Sequence, residues 1–301
     1  MIGNLEKQFK TIQETIYSSF NQLENFNEVN ISNDSWKRPE GGGGKTIVIA
    51  DGVFFDNCAI NYSSIYGKDL PKTALASSLK KNAKYGYQAM GISVISHPIN
   101  PHIPSSHMNI RFFGILDKKG EIKDWWIGGG YDLTPFIPYR EDIIGWHSSA
   151  KDHLDAWDTN FYKIFSDNCN NYFYIPHRNE RRGIGGIFFD NLSDLSIDNS
   201  IDFLKSVAQT YLDSYLKIID SRKMLKFTKS QKDFQLIRRG RYAEFNLIYD
   251  RGTAFGLQSN GRIESILASL PSDVKWSYRK SKEYKSLEKI LLKSINRDWN
   301  V

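Results

Sequence analysis

Hydrophobic residues near the N-terminus recur every three or four positions along the chain. They are Leu5, Phe9, Ile12, Ile16, Phe20 and Leu23. This spacing is typical of an amphipathic helix that lies with one apolar stripe on another element. The same periodicity predicts helices over residues 141–157, 160–172, 201–221 and 283–295.

Shorter segments that are rich in β-branched residues, or that alternate between apolar and polar residues, predict strands. They cover residues 46–50, 92–96, 108–116, 124–127, 185–190 and 242–249. Turn-forming residues at 33–34 and 39–44 are expected to break the chain. Since no regular crossover helices separate the strands, we predict a single α+β domain over residues 1–301, with helices covering a mostly antiparallel sheet.

The composition is that of a soluble globular protein. The 301 residues are 40% hydrophobic, which is enough to fill one large core or two modest ones without disulfides. Only Cys58 and Cys169 are present, in no paired motif, so a reducing cytoplasm is expected. The first 20 residues resemble neither a secretory signal nor a transit peptide. No stretch approaches the roughly 18 apolar residues of a membrane-spanning helix.

A glycine run at residues 41–44, followed by Lys45 and Thr46, invites comparison with a phosphate-binding loop. That motif needs a glycine five positions before its last glycine, and this position holds Pro39. The run also precedes its predicted strand, whereas a phosphate loop follows one. We therefore predict a flexible loop over a site or an interface, and no nucleotide site.

The histidines allow two kinds of chemistry. They are His97, His102, His107, His147, His153 and His177. Several of them lie in predicted loops and are able to converge on a metal, but their spacing matches no zinc pattern. Each ring is equally able to satisfy local hydrogen bonds. His107 precedes the polar strand residues Asn109 and Arg111, so it is also a candidate for proton transfer.

Arginines indicate an anionic ligand, in agreement with the net charge of +6. Two clusters contain Arg178, Arg181 and Arg182, and Arg238, Arg239 and Arg241. Because a guanidinium binds a carboxylate through two donors, converging arginines suit a substrate with several carboxylates. The alternative is internal pairing with nearby acids. Arg111, on an alternating strand, and Arg262, in a Ser-Asn-Gly turn, are the favoured candidates.

Asp132 follows a run of three glycines, with Tyr131 between them. Glycine lets a ligand approach the backbone closely, and a carboxylate at this position is able to accept N–H groups. A helix-cap or turn role for Asp132 is the alternative.

Four segments of the chain resemble the oxygen-dependent coproporphyrinogen III oxidases. They are SHPINPHIPSSHMNIRFF, WWIGGGYDLTPF, YFYIPHRNERRGIGGIFFD and RRGRYAEFNLIYDRGTAFGLQSNGRIESILASLP. The likeness runs in order from about residue 34 to residue 299. It implies a broad antiparallel sheet sandwiched between helices. It also implies that two propionates of coproporphyrinogen III become vinyl groups, giving protoporphyrinogen IX, CO2 and H2O2, with O2 as oxidant and no organic cofactor.

The resemblance further implies which residues form the site. His107 matches the proton donor of the family, and Asp132 matches a carboxylate that engages the pyrrole N–H groups. The substrate contacts of the family match Ser93, Asn109, Ile110, Arg111, Asn260, Gly261 and Arg262. Asn260 stands where glycine is usual, and asparagine tolerates left-handed backbone angles.

A metal and a dimer are also implied by the resemblance. Bacterial members are described with a divalent metal bound by histidines that match His97, His107, His147 and His177. A tight ligand cannot easily serve as a free acid, so the substrate-side role of His107 is favoured. The resemblance implies a homodimer in which residues 242–277 are important for pairing.

Two other functions are open on the sequence. A nucleic-acid-binding module agrees with the sequence pI of about 9.0 and the RRGRY run, but basic residues alternate with acids and no nucleic-acid motif is present. A histidine-ligated metalloprotein with unrelated oxygen chemistry is the second alternative. Metal analysis of the purified protein, followed by an assay after chelation, separates it from the favoured function.

Overall fold

The computed structural model describes residues 2–24, 29–68, 84–258, 261–299 and 301. In these residues the helices are α1 (Ile2–Leu23), α2 (Arg140–Asp155), α3 (Phe161–Tyr172), α4 (Ile197–Arg222), α5 (Lys229–Ile248), α6 (Arg251–Gln258), α7 (Ile263–Leu267) and α8 (Lys282–Ile295). The strands are β1 (Asn30–Lys37), β2 (Gly42–Ala50), β3 (Phe55–Gly67), β4 (Tyr87–Pro98), β5 (Ser105–Leu116), β6 (Ile122–Thr134), β7 (Tyr174–Ile175), β8 (Glu180–Arg181) and β9 (Gly185–Leu192). Among these elements, no helix combines the length and apolarity that crossing a bilayer demands.

Seven strands form one antiparallel sheet in the order β1-β2-β3-β4-β5-β6-β9, while β7 and β8 pair separately. One face of this sheet is the core. A row of buried apolar side chains crosses six strands in register: Ile47, Ile60, Val94, Met108, Tyr131 and Ile187. Helices α1 and α4 cover this face with apolar residues such as Phe9, Phe20 and Tyr211.

Residues one position along each strand point to the opposite side, because side chains alternate along a strand. Here a second row crosses the sheet in register: Asp34, Thr46, Asn61, Ser93, Asn109 and Gly130. We call this side of the sheet the polar face. Tyr242 of α5 packs against Ile95 and Ala59 on it, and Ser265 of α7 bonds to Thr46. Helices therefore lie on both sides of the sheet, and the predicted single α+β domain is confirmed.

The helices predicted from periodicity are present, with ends within a few residues of the expected ones. The predicted strand at residues 242–249 is wrong, because these residues complete α5 and its C-cap. Their apparent alternation comes from Glu244 and Asn246, which are buried and hydrogen-bonded inside the protein. A buried polar residue gives the same sequence signal as one that faces water.

The glycine run is also not a loop. Gly42, Gly43 and Gly44 belong to β2; all three pair with β3, and Gly43 and Gly44 also pair with β1. A Cβ atom on Gly44 would lie 2.4 Å from the ring of Trp36, so glycine there makes room for the indole. The predicted break at residues 33–34 lies within β1. This edge strand is exposed, and its mostly polar side chains give no alternating pattern from which a strand could be predicted. The sequence also did not predict β3, which carries Asn61 and Ser63 on the polar face.

Candidate active site

The predicted catalytic and substrate-binding residues of β4, β5 and β6 meet on the polar face. Asn109 faces Ser93 of β4, and His107 faces Asp132 of β6. Arg111 lies on the same side, two positions beyond Asn109. With a rise of about 3.3 Å per residue, His107 and Arg111 are about 13 Å apart along the strand. The sheet therefore presents a histidine and an arginine at two ends of one polar strip.

His107, Asp132 and Arg182 form a hydrogen-bonded chain. Nδ1 of His107 donates to Oδ1 of Asp132 at 3.0 Å. Arg182 donates to the same carboxylate through Nη2 at 2.6 Å and through Nε at 3.3 Å. The Asp132 and Arg182 side chains are 1% and 2% exposed, whereas that of His107 is 23% exposed. Nε2 of His107 has no hydrogen-bond partner among the described residues, so it is the atom able to meet a ligand.

Aromatic rings surround the Arg182 guanidinium. Its centre lies 4.0 Å from the ring centroid of Phe173, 4.7 Å from that of Tyr242 and 4.8 Å from that of Phe245. Such rings stabilise a buried cation. Burial alone would raise the pKa of Asp132, but the positive charge of Arg182 and the hydrogen bond from His107 outweigh it and lower the pKa below its usual value. Asp132 is therefore ionised and fixes His107 with Nδ1 protonated.

Asp132 thus influences the site indirectly, through its hydrogen bond to His107. Its carboxylate is fully buried and both oxygens already accept protein donors. The expectation that it engages pyrrole N–H groups directly stays a prediction. The sequence placed Arg182 in a cluster of arginines and gave no sign that it pairs with Asp132, because fifty residues separate the two.

Arg111 lies flat on the glycine strip of β6. A Cβ atom on Gly128 would lie 2.7 Å from Nε of Arg111, so only glycine leaves room for the guanidinium. Nη1 donates to Oδ1 of Asn109 at 3.3 Å, and Nη2 lies 2.8 Å from Oδ1 of Asp190. Arg111 therefore has a fixed position and remains about a third exposed, as a carboxylate-binding arginine requires.

Arg262 lies at the opposite side of the polar face. It is the N-cap residue of α7, and its Nη2 donates to Oδ2 of Asp34 on β1 at 2.8 Å. Asn61 of β3 donates to the backbone oxygen of Ser265 at 3.0 Å, which holds α7 on the sheet. Four strand spacings, about 19 Å, separate β1 from the Arg111 strand. The two arginines predicted to bind carboxylates therefore lie at two distant parts of one surface.

The remaining predicted substrate contacts differ from these. The Ile110 side chain lies in the core on the other face of the sheet, so only its backbone is available to a ligand on the polar face. The backbone N–H of Gly261 donates to the oxygen of Gly256 at 2.9 Å. The predicted contact Asn260 lies outside the described residues.

Most clustered arginines form internal ion pairs, as the alternative interpretation expected. Arg178 and Arg241 pair with Glu244, Arg181 with Asp298, Arg238 with Glu180, and Arg239 with Asp56. Apart from Arg241 and Glu244, which both lie on α5, the partners come from other segments of the fold, so these arginines hold segments together.

The four histidines predicted as metal ligands bind separate protein partners. In His97 and His147, Nε2 donates to a backbone oxygen and Nδ1 accepts from a hydroxyl group. His177 bonds to Glu244 and Tyr249. In the parts of the chain that the structure describes, no three His, Cys, Asp or Glu side chains are grouped as metal ligands. The set does not fit one divalent metal, and we derive no step through a metal.

The order of these residues along the chain matches one protein family. A family model described as Coproporphyrinogen III oxidase matches residues 4–299. The chain belongs to this family. It is therefore an oxidoreductase of tetrapyrrole biosynthesis that oxidatively decarboxylates coproporphyrinogen III, and the predicted activity is confirmed. The polar face of this coproporphyrinogen III oxidase carries the widely separated Arg111 and Arg262, together with His107, whose Nε2 has no hydrogen-bond partner among the described residues.

Proposed function

We propose that molecular oxygen is the oxidant, that His107 is the proton donor and that Arg111 and Arg262 bind propionates of coproporphyrinogen III. The observation that carries this proposal is the hydrogen-bonded chain of His107, Asp132 and Arg182, which lies on the same face of the sheet as Arg111. Two propionates would become vinyl groups, giving protoporphyrinogen IX.

The atom balance of the reaction requires a proton donor. Each propionate, CH2CH2COO⁻, combines with O2 and one proton to give a vinyl group, CO2 and H2O2. Two electrons pass from the substrate to oxygen, and one proton is taken up per propionate. His107 is placed to pass this proton through Nε2, because Asp132 accepts from Nδ1–H and orients the ring. The buried pair of Asp132 and Arg182 is neutral overall, so the carboxylate keeps its charge inside the protein.

The arginines would orient the ring. Binding by two guanidinium groups at distant parts of a flat face fixes both the position and the rotation of a tetrapyrrole. The walls of the site are aromatic near His107, with the ring of Phe173 5.8 Å from the imidazole. Such walls limit the access of water to the reacting carbon atoms.

The test of the proposed chemistry uses coproporphyrinogen III prepared without air and given to the enzyme with and without O2. We expect the divinyl product, one CO2 and one H2O2 per propionate, only when oxygen is present. Product formation without oxygen, or none in air, contradicts the proposal. The same assay after chelation, with metal analysis of the protein, tests the contribution of a divalent metal.

Arg262→Ala should lower kcat/KM for coproporphyrinogen III by about 10-fold to 150-fold, chiefly through KM. The reason is the loss of one charge-assisted hydrogen bond to a propionate, which contributes about 1.5–3 kcal/mol. Steady-state kinetics measure the change, and thermal unfolding checks that the variant is folded. Arg279→Ala removes an exposed arginine of the same charge and should leave kcat/KM unchanged. Equal kinetics in both variants would contradict a carboxylate-binding role for Arg262.

We also propose that the chain forms a homodimer through residues 242–277 and works in a reducing cytoplasm. Large apolar side chains are exposed along this segment, namely Leu247, Ile248, Leu257, Ile263, Leu267 and Trp276. A second copy of the chain would remove them from water. Both cysteines are buried and unpaired, which supports a reducing compartment.

Leu247→Asp should shift the dimer to monomer in sedimentation equilibrium, because it places a charge in the apolar contact. Met224→Asp is the matched control, since Met224 is an exposed apolar residue outside this segment. A dimer that survives Leu247→Asp, or that is lost equally in Met224→Asp, would argue for another interface.

A further inference from the structure

The carboxylate of Asp190 forms an ion pair with Arg111, the arginine that we propose binds a propionate of the substrate. Nη2 of Arg111 lies 2.8 Å from Oδ1 of Asp190, and both side chains are about a third exposed. A propionate that approaches Arg111 therefore meets a guanidinium that already has a carboxylate partner. Resting on the proposed role of Arg111, we propose that Asp190 competes with a substrate carboxylate for Arg111 and so sets the affinity for carboxylated tetrapyrroles.

A local irregularity of the sheet directs Asp190 toward Arg111. The register between β6 and β9 pairs Ile127 with Leu192 and Gly129 with Phe189. Two residues of β9 therefore lie opposite Gly128, which is a β-bulge. Asn191 in this bulge has a left-handed φ of 56°, and its N–H donates to Oδ1 of Asp190 at 3.0 Å. Bulges at sheet edges re-aim side chains, and this one turns a carboxylate over Gly128, where the guanidinium of Arg111 lies.

The pairing has different consequences for substrate and product. A propionate gains its bond to Arg111 only by displacing or sharing Asp190, which weakens its net binding. Once the propionate has become a vinyl group, it offers no charge to the guanidinium. Asp190 then pairs with Arg111 again, so the release of a decarboxylated arm leaves no unpaired arginine. Asp190 thus lowers the affinity for carboxylated rings without lowering that for decarboxylated arms at this subsite.

The test compares Asp190→Asn with the parent enzyme. Asparagine removes the charge but keeps the oxygen that accepts from the Asn191 N–H. The probe is coproporphyrin III, the stable oxidised ring with four carboxylates, whose binding is followed by quenching of protein fluorescence. We expect its Kd to fall about twofold to fivefold, the range that corresponds to loss of a partly exposed ion pair. KM for coproporphyrinogen III should fall by a similar factor.

Two controls assign the effect to Arg111. Asp194→Asn makes the same charge change at an exposed residue near β9 that has no side-chain partner among the described residues, and it should leave Kd unchanged. In an Arg111→Gln background, Asp190→Asn should not change Kd further, since the guanidinium for which Asp190 and the ligand compete is absent.

An unchanged or higher Kd in Asp190→Asn overturns the inference, because Asp190 would then be neutral or would position Arg111 for binding. An equal fall in Asp194→Asn also overturns it, since the effect would be a general change of charge. These results are independent of turnover. An enzyme that binds coproporphyrin III but forms no divinyl product in air would contradict the proposed chemistry and leave the Kd comparison valid.

Discussion

Replacement of His107 by alanine should lower kcat for coproporphyrinogen III by about 10²-fold to 10⁴-fold, the usual contribution of a positioned general acid. Substrate affinity should change by much less, because the carboxylate-binding groups Arg111 and Arg262 remain. The reason is the proton balance, because each propionate consumes one proton. In the hydrogen-bonded chain of His107, Asp132 and Arg182, Nε2 of His107 is the atom that remains without a partner among the described residues. Single-turnover kinetics separate the chemical step from binding.

His153→Ala is a suitable control for His107→Ala. His153 lies on α2, where its Nε2 is hydrogen-bonded to Ser206 of α4 on the core side of the sheet. Its removal should leave kcat within about threefold of the parent, a change that corresponds to well under 1 kcal/mol of activation free energy. If His107→Ala keeps the parent kcat, His107 is not the proton donor. A large rise in KM with unchanged kcat would instead identify His107 as a binding residue.

Arg182→Leu should lower the free energy of unfolding by about 3–5 kcal/mol, the usual cost of removing one partner of a buried ion pair. Asp132 is fully buried and would lose the guanidinium that pairs with it, while the ring of Phe173 would lose its contact with the cation. Turnover should fall as well, because an unpaired buried carboxylate binds a proton and no longer orients His107. Denaturant unfolding monitored by fluorescence measures the stability.

The neighbouring residue supplies the control for Arg182→Leu. Arg181 pairs with Asp298 at the surface, so Arg181→Leu should cost no more than about 1 kcal/mol. The double variant Arg182→Leu with Asp132→Asn should recover part of the lost stability, since no unpaired charge is left inside the protein. Equal losses of unfolding free energy in Arg181→Leu and Arg182→Leu would show that burial of the Asp132–Arg182 pair does not determine its contribution to stability.

Helices α1 to α4 and α8, and parts of strands β2, β4, β5 and β9, could be predicted because their side chains follow a single rule of alternation or periodicity. The apolar positions of α1 and α4 face one core, and β5 alternates between core and polar face. The rule fails where polar residues are buried or where a strand is exposed. The pattern of residues 242–249 predicts a strand because the polar residues Glu244 and Asn246 are buried, where they are hydrogen-bonded to Arg178 and Arg182. The residues of β1 predict a break because that strand is exposed.

The candidate site could likewise be predicted only in part. Strand alternation selected Arg111, the neighbouring polar residues selected His107, and the preceding glycine run selected Asp132; the structure places all three on the polar face. The partners of these residues were not predictable, because they come from distant parts of the chain. Asp190 reaches Arg111 only through the register and bulge of β9, and Asp34 reaches Arg262 across 228 positions.

The sequence by itself determined the family, the fold class and the chemical types predicted for the site: arginines for carboxylates, a histidine for proton transfer and a carboxylate for N–H donors. These follow from local order and residue chemistry, which a chain carries before it folds. Only the tertiary structure decided which arginines lie partly exposed on the polar face and which are buried, that Arg182 pairs with buried Asp132, and that Asp190 pairs with Arg111. The reason is that charge pairing depends on distance and burial, which are set by strand register, by the bulge of β9 and by the packing of helices on the sheet.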